Sequence, residues 1–341
     1  MQQQYIAKTL QGLENVLAKE LETLGAKDVE VLKRAVSFSG DKAMLYAANI
    51  YLRTAIKILQ PLTTFRADDV QELYDQILAF NWSEVMDVDD TFTIDNTVFS
   101  TTFTHSNYAA LKMKDALVDH FRNKFGRRPD VNKLDPTYRF NIRIKENEVS
   151  IALDSSGESL HKRGYRTETH AAPMSEVQAA GLILLSGWDV NQPLYDPMCG
   201  SGTIPIEAAL IANQIAPGLI RKTYGFQKWK DYDASLFRQL MVAAAGEVQQ
   251  RRLAIIGSDI SSRNIVMAIK HAGNAMPENS IKFFTKAFED AEPPRDKGVL
   301  IINPPYGERL QPEHIIEFYK TIGNVLKRKY AGFTAWVFSS N

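Results

Sequence analysis

The sequence predicts an α/β protein in which a doubly wound parallel-sheet domain follows two smaller mixed units. Three observations predict it. From about residue 160 onward, short apolar runs alternate with helical patterns, as in strands covered on both faces. Two of those runs end in turns rich in glycine or proline, which places ligand chemistry at the carboxyl ends of the strands. Ahead of them, the first stretch of the chain reads β-α-β-β-α, the order of a ferredoxin-like unit of about 60 residues. The expected division is 1–61, 62–158 and 159–341.

In the first unit Tyr5–Ala7 reads as a strand. Leu10, Leu13, Leu17, Leu21 and Leu24 recur at helical spacing before Gly25, which is placed as a helix stop. Strands around Val29–Leu32 and Ala35–Phe38 and a helix over Lys42–Tyr51 complete it. In the second unit Phe92, Ile94 and Val98 alternate as in a half-buried strand. A stripe of Ala110, Met113, Leu117, Phe121 and Phe125 marks a helix closed by Gly126. Phe140, Ile142 and Ile144 alternate with Arg139, Asn141, Arg143 and Lys145, and Val149, Ile151 and Leu153 alternate again after a polar turn. That is a hairpin with a basic outer face. In the third unit the strands are Leu194-Tyr195, Ala254–Ile256, Ile281–Phe284, Val299–Ile302 and Thr334–Phe338.

Composition excludes several classes. At 45% hydrophobic and 23% charged residues, the 341-residue chain is neither disordered nor a fibre. Its single cysteine, Cys199, excludes an intrachain disulfide and a thiolate-rich zinc site. Its six histidines form no close metal-ligand pair, so no metal is expected. No apolar run reaches the ~18–20 residues of a membrane span, and the N-terminus lacks a signal-peptide pattern. The expectation is a cytoplasmic protein, monomeric by default, without a membrane partner. Forty basic and forty acidic residues cancel, but unevenly. Ala67–Leu111 holds nine acids and no Lys or Arg, whereas Lys112–Lys145 holds ten bases against four acids. Separated signs fit a face shaped for a polyanion; they fit equally a solvated surface on which the charges balance in space.

The chemistry lies at strand ends. Asp196-Pro197-Met198-Cys199-Gly200-Ser201-Gly202-Thr203 joins a strand to a helix. Glycines admit close backbone approach, and the helix start offers free N–H groups. The turn lacks both the Gly-Lys-Ser/Thr of a P-loop and a third glycine at dinucleotide spacing. An acid before it would repel phosphate and hold an ammonium, which suits a zwitterion such as S-adenosylmethionine. The second strand ends in Asp259-Ile260, where an acid accepts from ribose hydroxyls or caps a helix. Asp259 lies 59 residues past Gly200, against ~20 in a dinucleotide fold, so roughly residues 213–250 are an insertion. The third strand leads to Phe288-Glu289-Asp290, an aromatic and carboxylates for an adenine. The fourth ends in Asn303-Pro304-Pro305-Tyr306-Gly307, where the Asn303 side chain and the Pro304 carbonyl can accept both hydrogens of a planar amino group. Tyr306 offers a face for a flipped base.

These two motifs resemble the S-adenosylmethionine-dependent amino-group methyltransferases. With Leu160-His161-Lys162-Arg163-Gly164-Tyr165-Arg166, Ala172-Pro173-Met174 and Ile215-Ala216-Pro217-Gly218, the chain resembles the bacterial THUMP-domain methyltransferases that modify guanine N2 in large-subunit ribosomal RNA. The resemblance implies a ferredoxin-like unit, an α+β THUMP RNA-binding domain and a Rossmann-like class I methyltransferase domain. It implies that Asp196, Pro197, Cys199, Gly200, Ser201, Gly202, Thr203, Asp259, Ile260, Phe288, Glu289, Asp290 and, from the stretch His170–Met174, Met174 line the cofactor pocket. Asn303, Pro304, Pro305 and Tyr306 would then orient the target amine. Arg127, Arg128, Arg139, Arg143, Lys145, Lys162, Arg163 and Arg166 are candidate phosphate contacts. A nucleophilic Cys199 and basic His161 or His170 are less suited, since an amine loses its proton after transfer. The family pattern continues past the fifth strand, so a C-terminal truncation is expected. Transfer RNA guanine-N2 or DNA adenine-N6 methylation, and a non-catalytic RNA-binding or ribosome-assembly role, are the alternatives.

Overall fold

A computed structural model describes residues 2–103, 105–167, 173–276, 281–293, 295–304 and 312–339. The chain divides into two compact units. One comprises Met1–Asn49, Ala55–Leu160 and Lys222–Leu240; the other comprises Ile50–Thr54, His161–Arg221 and Met241–Asn341.

The first unit starts with β1 (Gln3–Lys8), α1 (Glu14–Leu24), β2 (Lys27–Leu32), β3 (Ala35–Gly40) and α2 (Lys42–Tyr51), the order read from the leucine spacing and the apolar alternation. Leu17, Ala18 and Leu21 are the buried face of α1, and left-handed Gly25 ends it. β4 (Lys57–Arg66) was hidden in the sequence by Pro61, which cannot donate to a ladder. A register shift between Pro61 and Thr63 accommodates it. Residues 61 and 62, the expected boundary, are therefore neighbours inside one strand. β4 pairs with β1 through Lys57–Leu59 and, through Leu59–Arg66, with the last strand of the following segment.

That segment contains α3 (Val70–Ala79), β5 (Thr91–Phe99), α4 (Ser106–Phe125), β6 (Asp130–Val131), β7 (Tyr138–Lys145) and β8 (Glu148–Asp154). Asp69 caps α3 by accepting from the Glu72 N–H at 2.8 Å. The expected hairpin is present as antiparallel β7 and β8. Phe140, Ile142 and Ile144 of β7 and Val149, Ile151 and Leu153 of β8 are buried, as are Trp82, Phe92, Met113, Leu117 and Phe121. On the face expected to be basic, Asn141 is buried too and only Arg143 and Lys145 are exposed. Among the described residues one eight-stranded sheet runs through the unit in the order β2-β3-β1-β4-β8-β7-β5-β6.

Residues 222–240, read as part of an insertion in the C-terminal segment, fold into the first unit. Tyr46 stacks on Phe226 with ring centroids 4.3 Å apart. Lys230 reaches Asp87 at 2.7 Å, and Lys228 pairs with Asp135. Within the acidic stretch, Asp87 is balanced by Lys230, Asp89 by Arg127 and Asp95 by Lys57, so among the described residues three of its nine acids meet a counter-charge in space.

The second unit holds α5 (Glu176–Ser186), β9 (Leu194–Asp196), α6 (Thr203–Ala212), the end of α7 (Ala234–Gly246, begun in the first unit), β10 (Ile255–Asp259), α8 (Ser262–Ala275), β11 (Lys282–Thr285), β12 (Gly298–Ile302), α9 (Pro312–Lys329) and β13 (Phe333–Val337). Its five described strands are all parallel, in the order β11-β10-β9-β12-β13. The order reverses between β9 and β12, which opens a crevice at the carboxyl ends. Among the described residues no helix is long and apolar enough to cross a membrane. Likewise, no group of three or more His, Cys, Asp or Glu side chains is placed to hold a metal ion.

Candidate active site

The turn between β9 and α6 is held by bonds to β10 and by one within itself. The Cys199 N–H donates to the Ser258 carbonyl at 2.9 Å and the Gly202 N–H to the Cys199 carbonyl at 2.8 Å. The Gly200 N–H donates to Asp259 Oδ2 at 2.9 Å. Gly202 has φ of +86°, and a Cβ there would lie 2.9 Å from the Ala268 Cβ. A side chain is excluded both by backbone conformation and by space. Gly202→Ala is expected to cost about 1–3 kcal/mol in denaturant unfolding. An unchanged midpoint would show that the turn carries no such constraint.

Asp196 is 1% exposed. Burial pushes its carboxyl well above the usual range, the Met198 N–H bond opposes, and Asp259 adds to the rise. Among the described residues its Oδ1 accepts from the Met198 N–H at 3.1 Å and no cation pairs with it, so a cation would restore its charged form. Asp259 is more committed than its sequence position implied. It accepts from Gly200, from the Ser261 N–H at 2.9 Å and from the Asn264 side chain at 3.1 Å. Of about four carboxylate acceptor sites, three are thus used, one tying the turn to β10 and two tying the end of β10 to the start of α8. The next residue, Ile260, is 76% exposed, an apolar face at the crevice edge. Pro197 is buried, Ser201 is half-buried, and the Ser201 carbonyl accepts from His271 Nδ1 at 3.3 Å. Cys199 is buried, and burial with Asp196 and Asp259 pushes its thiol well up. A thiolate nucleophile is disfavoured there.

Phe288 corrects an expectation. Its ring is 3% exposed and stacks on Tyr330 at 5.7 Å, within the core of Tyr195, Leu300 and Ile302. The ring is a packing element, and exposed Glu289 and Asp290 are the parts of that segment open to a ligand. At the end of β12, Asn303 is half-buried and Pro304 buried. Asn303 Oδ1 is a buried acceptor with no donor among the described residues. Such an atom costs free energy while it lacks a donor, and is expected where a ligand supplies the partner. Pro305, Tyr306 and His170 lie outside the described residues.

Two cations expected on RNA are internal. Arg163 is 1% exposed and Glu207 fully buried. Arg163 Nη2 donates to the Arg53 carbonyl at 2.5 Å and meets Glu207 Oε2 at 3.4 Å. Tyr165 donates to Glu207 Oε1 at 3.2 Å. Arg166 Nη1 lies 3.3 Å from Glu176 Oε1, while its Nη2 donates to the Met174 carbonyl at 2.8 Å and to Thr203 Oγ1 at 2.5 Å. Buried charges persist only when paired, so neither guanidinium is available to phosphate. Instead Arg166 ties Met174 and the start of α5 to the first residue after the glycine turn. The sequence signal for Glu207 was there to read, a lone acid in the apolar helix Thr203–Ala212; Glu176 opens α5 with no such contrast.

Burial raises the Glu176 carboxyl from 4.5 to about 7 despite the Arg166 charge. Its folded value exceeds the unfolded one, so unfolding releases a proton between pH about 4.5 and about 7, and stability falls as pH rises through that window. Glu176→Gln should flatten that slope. Unfolding free energies at pH 5 and pH 7.5 check it, and parallel slopes in both proteins would exclude the effect.

The remaining basic candidates differ among themselves. Arg139 is 19% exposed in its side chain and 3.5 Å from Asp95. Arg127 pairs with Asp89 on the surface, an exposed contact worth little. Arg128, Arg143, Lys145 and Lys162 are exposed.

Comparison with known proteins shows the domains and the family. A family model for an RMKL-like methyltransferase domain matches residues 163–341. Models for the RlmL ferredoxin-like domain and the THUMP domain match residues 4–59 and 67–154. The chain is 39% identical over 348 residues to the ribosomal RNA large subunit methyltransferase K/L of Photobacterium profundum, covering 99% of this chain and 48% of that protein, about half its length. A Listeria monocytogenes structure described as a predicted N6-adenine-specific DNA methylase superposes with a TM-score of 0.89 at 32% identity, covering 100% of this chain and 89% of that one. SMU.472, a candidate methyltransferase crystallised with SAH, gives 0.87 at 30% identity, with 98% and 89% covered. The fold is therefore a Rossmann-like class I methyltransferase domain behind ferredoxin-like and THUMP segments. The chain belongs to the RMKL-like methyltransferase family.

Proposed function

We propose that this protein transfers a methyl group from S-adenosylmethionine to the exocyclic N2 amine of a guanosine in large-subunit ribosomal RNA. The observation that carries the reading is Asn303 Oδ1 at the carboxyl end of β12, a buried acceptor without a donor among the described residues, next to Pro304, whose carbonyl is the second acceptor proposed. Two such acceptors hold a planar amino group by both hydrogens and turn its nitrogen lone pair away from the ring. Positioning of this kind is the main contribution a protein makes to a direct displacement.

The residues present fit the cofactor. Asp196 is a buried acid with no cation paired to it among the described residues, suited to the amino group. The Gly200–Thr203 turn offers N–H groups to the carboxylate, Asp259 keeps an acceptor site for ribose, and Ile260 presents an apolar face to adenine. When bound, the cofactor supplies an electron-poor methyl on a sulfonium. Arg166 holds the turn and Met174 in register, which makes it a positioning residue. The exposed cations Arg128, Arg143, Lys145 and Lys162 and Arg127, whose pair with Asp89 is solvent-exposed, are suited to RNA phosphates, and Pro305 and Tyr306 are proposed to complete the base pocket. A ribosomal RNA substrate places the protein in the cytoplasm. A DNA adenine amine fits the same acceptors, which the name of the Listeria neighbour also raises. The THUMP segment favours RNA.

The test is transfer of labelled methyl to unmodified ribosomal RNA, transfer RNA and DNA in parallel, with digestion and nucleoside mass analysis. Label as N2-methylguanosine in ribosomal RNA is expected. Label as N2-methylguanosine in transfer RNA or N6-methyladenine in DNA would replace the proposed substrate. Absence of transfer together with absence of cofactor binding would overturn the enzymatic reading.

A further inference from the structure

The amino-terminal edge of the parallel sheet carries a second charged feature. Loops entering β9, β10 and β12 converge on a cleft of about 580 Å³ whose lining includes Asn191, Gln192, Arg251, Arg252, Arg295 and Lys297, without a carboxylate. All four cations are exposed. Among the described residues none of them forms an ion pair. The contrast with the cleft beside α4 is sharp. There Lys112, Lys114, Arg122 and Arg128 share the lining with Asp115, Asp119 and Asp130, so its charge is largely cancelled. Asp189 and Asp296 neighbour the amino-edge loops in sequence, and neither lines the cleft.

Four like charges around one concavity repel each other, and field lines focus in such a cleft. A polyanion relieves both. We infer that this cleft is a second RNA-phosphate contact surface of the catalytic unit, distinct from the edge that holds Asn303. The inference rests on the RNA reading above and adds a place where the substrate is gripped. β12 links the two edges: Lys297 precedes its first residue and Asn303 follows its last. Five residues at ~3.3 Å span roughly 17 Å, or about five phosphates of a helical strand at ~3.4 Å each. A target loop at Asn303 can therefore belong to a stem or flanking strand that reaches the cleft. The side-chain amides of Asn191 and Gln192 add neutral donors to phosphate oxygens. The contact reads charge and not sequence.

The experiment compares the full chain with the variant R251Q/R252Q/R295Q/K297Q in RNA binding as a function of salt, using a long ribosomal RNA fragment and a short target-loop oligonucleotide. The substituted side chains are exposed, so unfolding midpoint and SAH affinity should match the parent and certify the fold. On the long RNA, affinity should fall tenfold or more at moderate salt, and the slope of log affinity against log salt should drop by about 3, from 0.7–0.9 per lost phosphate contact. Transfer to the short oligonucleotide should keep its rate. Equal slopes and affinities on the long RNA would overturn the proposal while leaving the RNA reading intact, as would a variant that loses only binding to an acidic protein. If the parent protein shows no salt-dependent affinity for any RNA, the functional reading itself falls, and this inference with it.

Discussion

Asn303→Ala is expected to lower the rate of methyl transfer by about 10²–10³-fold, the range seen when one preorganised hydrogen-bonding group is removed from a reacting centre. Cofactor affinity and RNA affinity should stay within a fewfold of the parent, because the Asn303 side chain holds neither in this reading. Stability supplies an independent check. The buried Oδ1 has no donor among the described residues, and an unsatisfied buried acceptor costs about 1–3 kcal/mol. Removing it should leave the unfolding midpoint unchanged or raised. A residue held for packing would behave in the opposite way, losing stability with little loss of rate. Single-turnover transfer and denaturant unfolding on the same preparation separate the two. Transfer within a fewfold of the parent would remove Asn303 from the proposed chemistry.

The largest stability effect is expected at Glu207. Its carboxylate is fully buried in α6, 3.4 Å from Arg163, and accepts from Tyr165. Glu207→Ala deprives a buried guanidinium of its counter-charge and a buried phenol of its acceptor. Breaking a buried pair from one side costs about 3–5 kcal/mol. The double variant Glu207→Leu/Arg163→Met should recover much of that, since neither charge then remains buried. Because α6 begins at Thr203, directly after the glycine turn, the single variant should also weaken SAH binding. Denaturant midpoints for the two variants are the measurement. A double variant as unstable as Glu207→Ala would show that volume, and not charge, dominates the site.

Local chemistry carried much of the fold into the sequence. The leucine spacing of α1, the alternation along β7 and β8 and the short apolar runs of β9–β13 are patterns of neighbours along the chain, set by helix and strand periodicity. The same holds for the two site motifs: a glycine with φ of +86° and an asparagine before two prolines are backbone demands that particular residue types meet. β4 was less legible because one proline breaks the pattern while a register shift absorbs it.

Partnership in space could not be read that way. Arg163, Arg166, Arg251 and Arg295 are the same residue type in the sequence. The first is paired with a glutamate 44 positions away, the second with Glu176, and the last two with no carboxylate among the described residues. Phe288 follows a strand end as an adenine-facing aromatic would, yet Tyr330 from beyond α9 takes its ring into the core. Residues 222–240 lie in the catalytic segment by sequence and fold with the first unit because Phe226 finds Tyr46 there. The sequence by itself determined the order of elements and the residue types at each strand end, because those obey local backbone and periodicity rules. Only the tertiary structure decided which charges and rings stay free for a ligand, since burial and counter-charge come from residues distant along the chain.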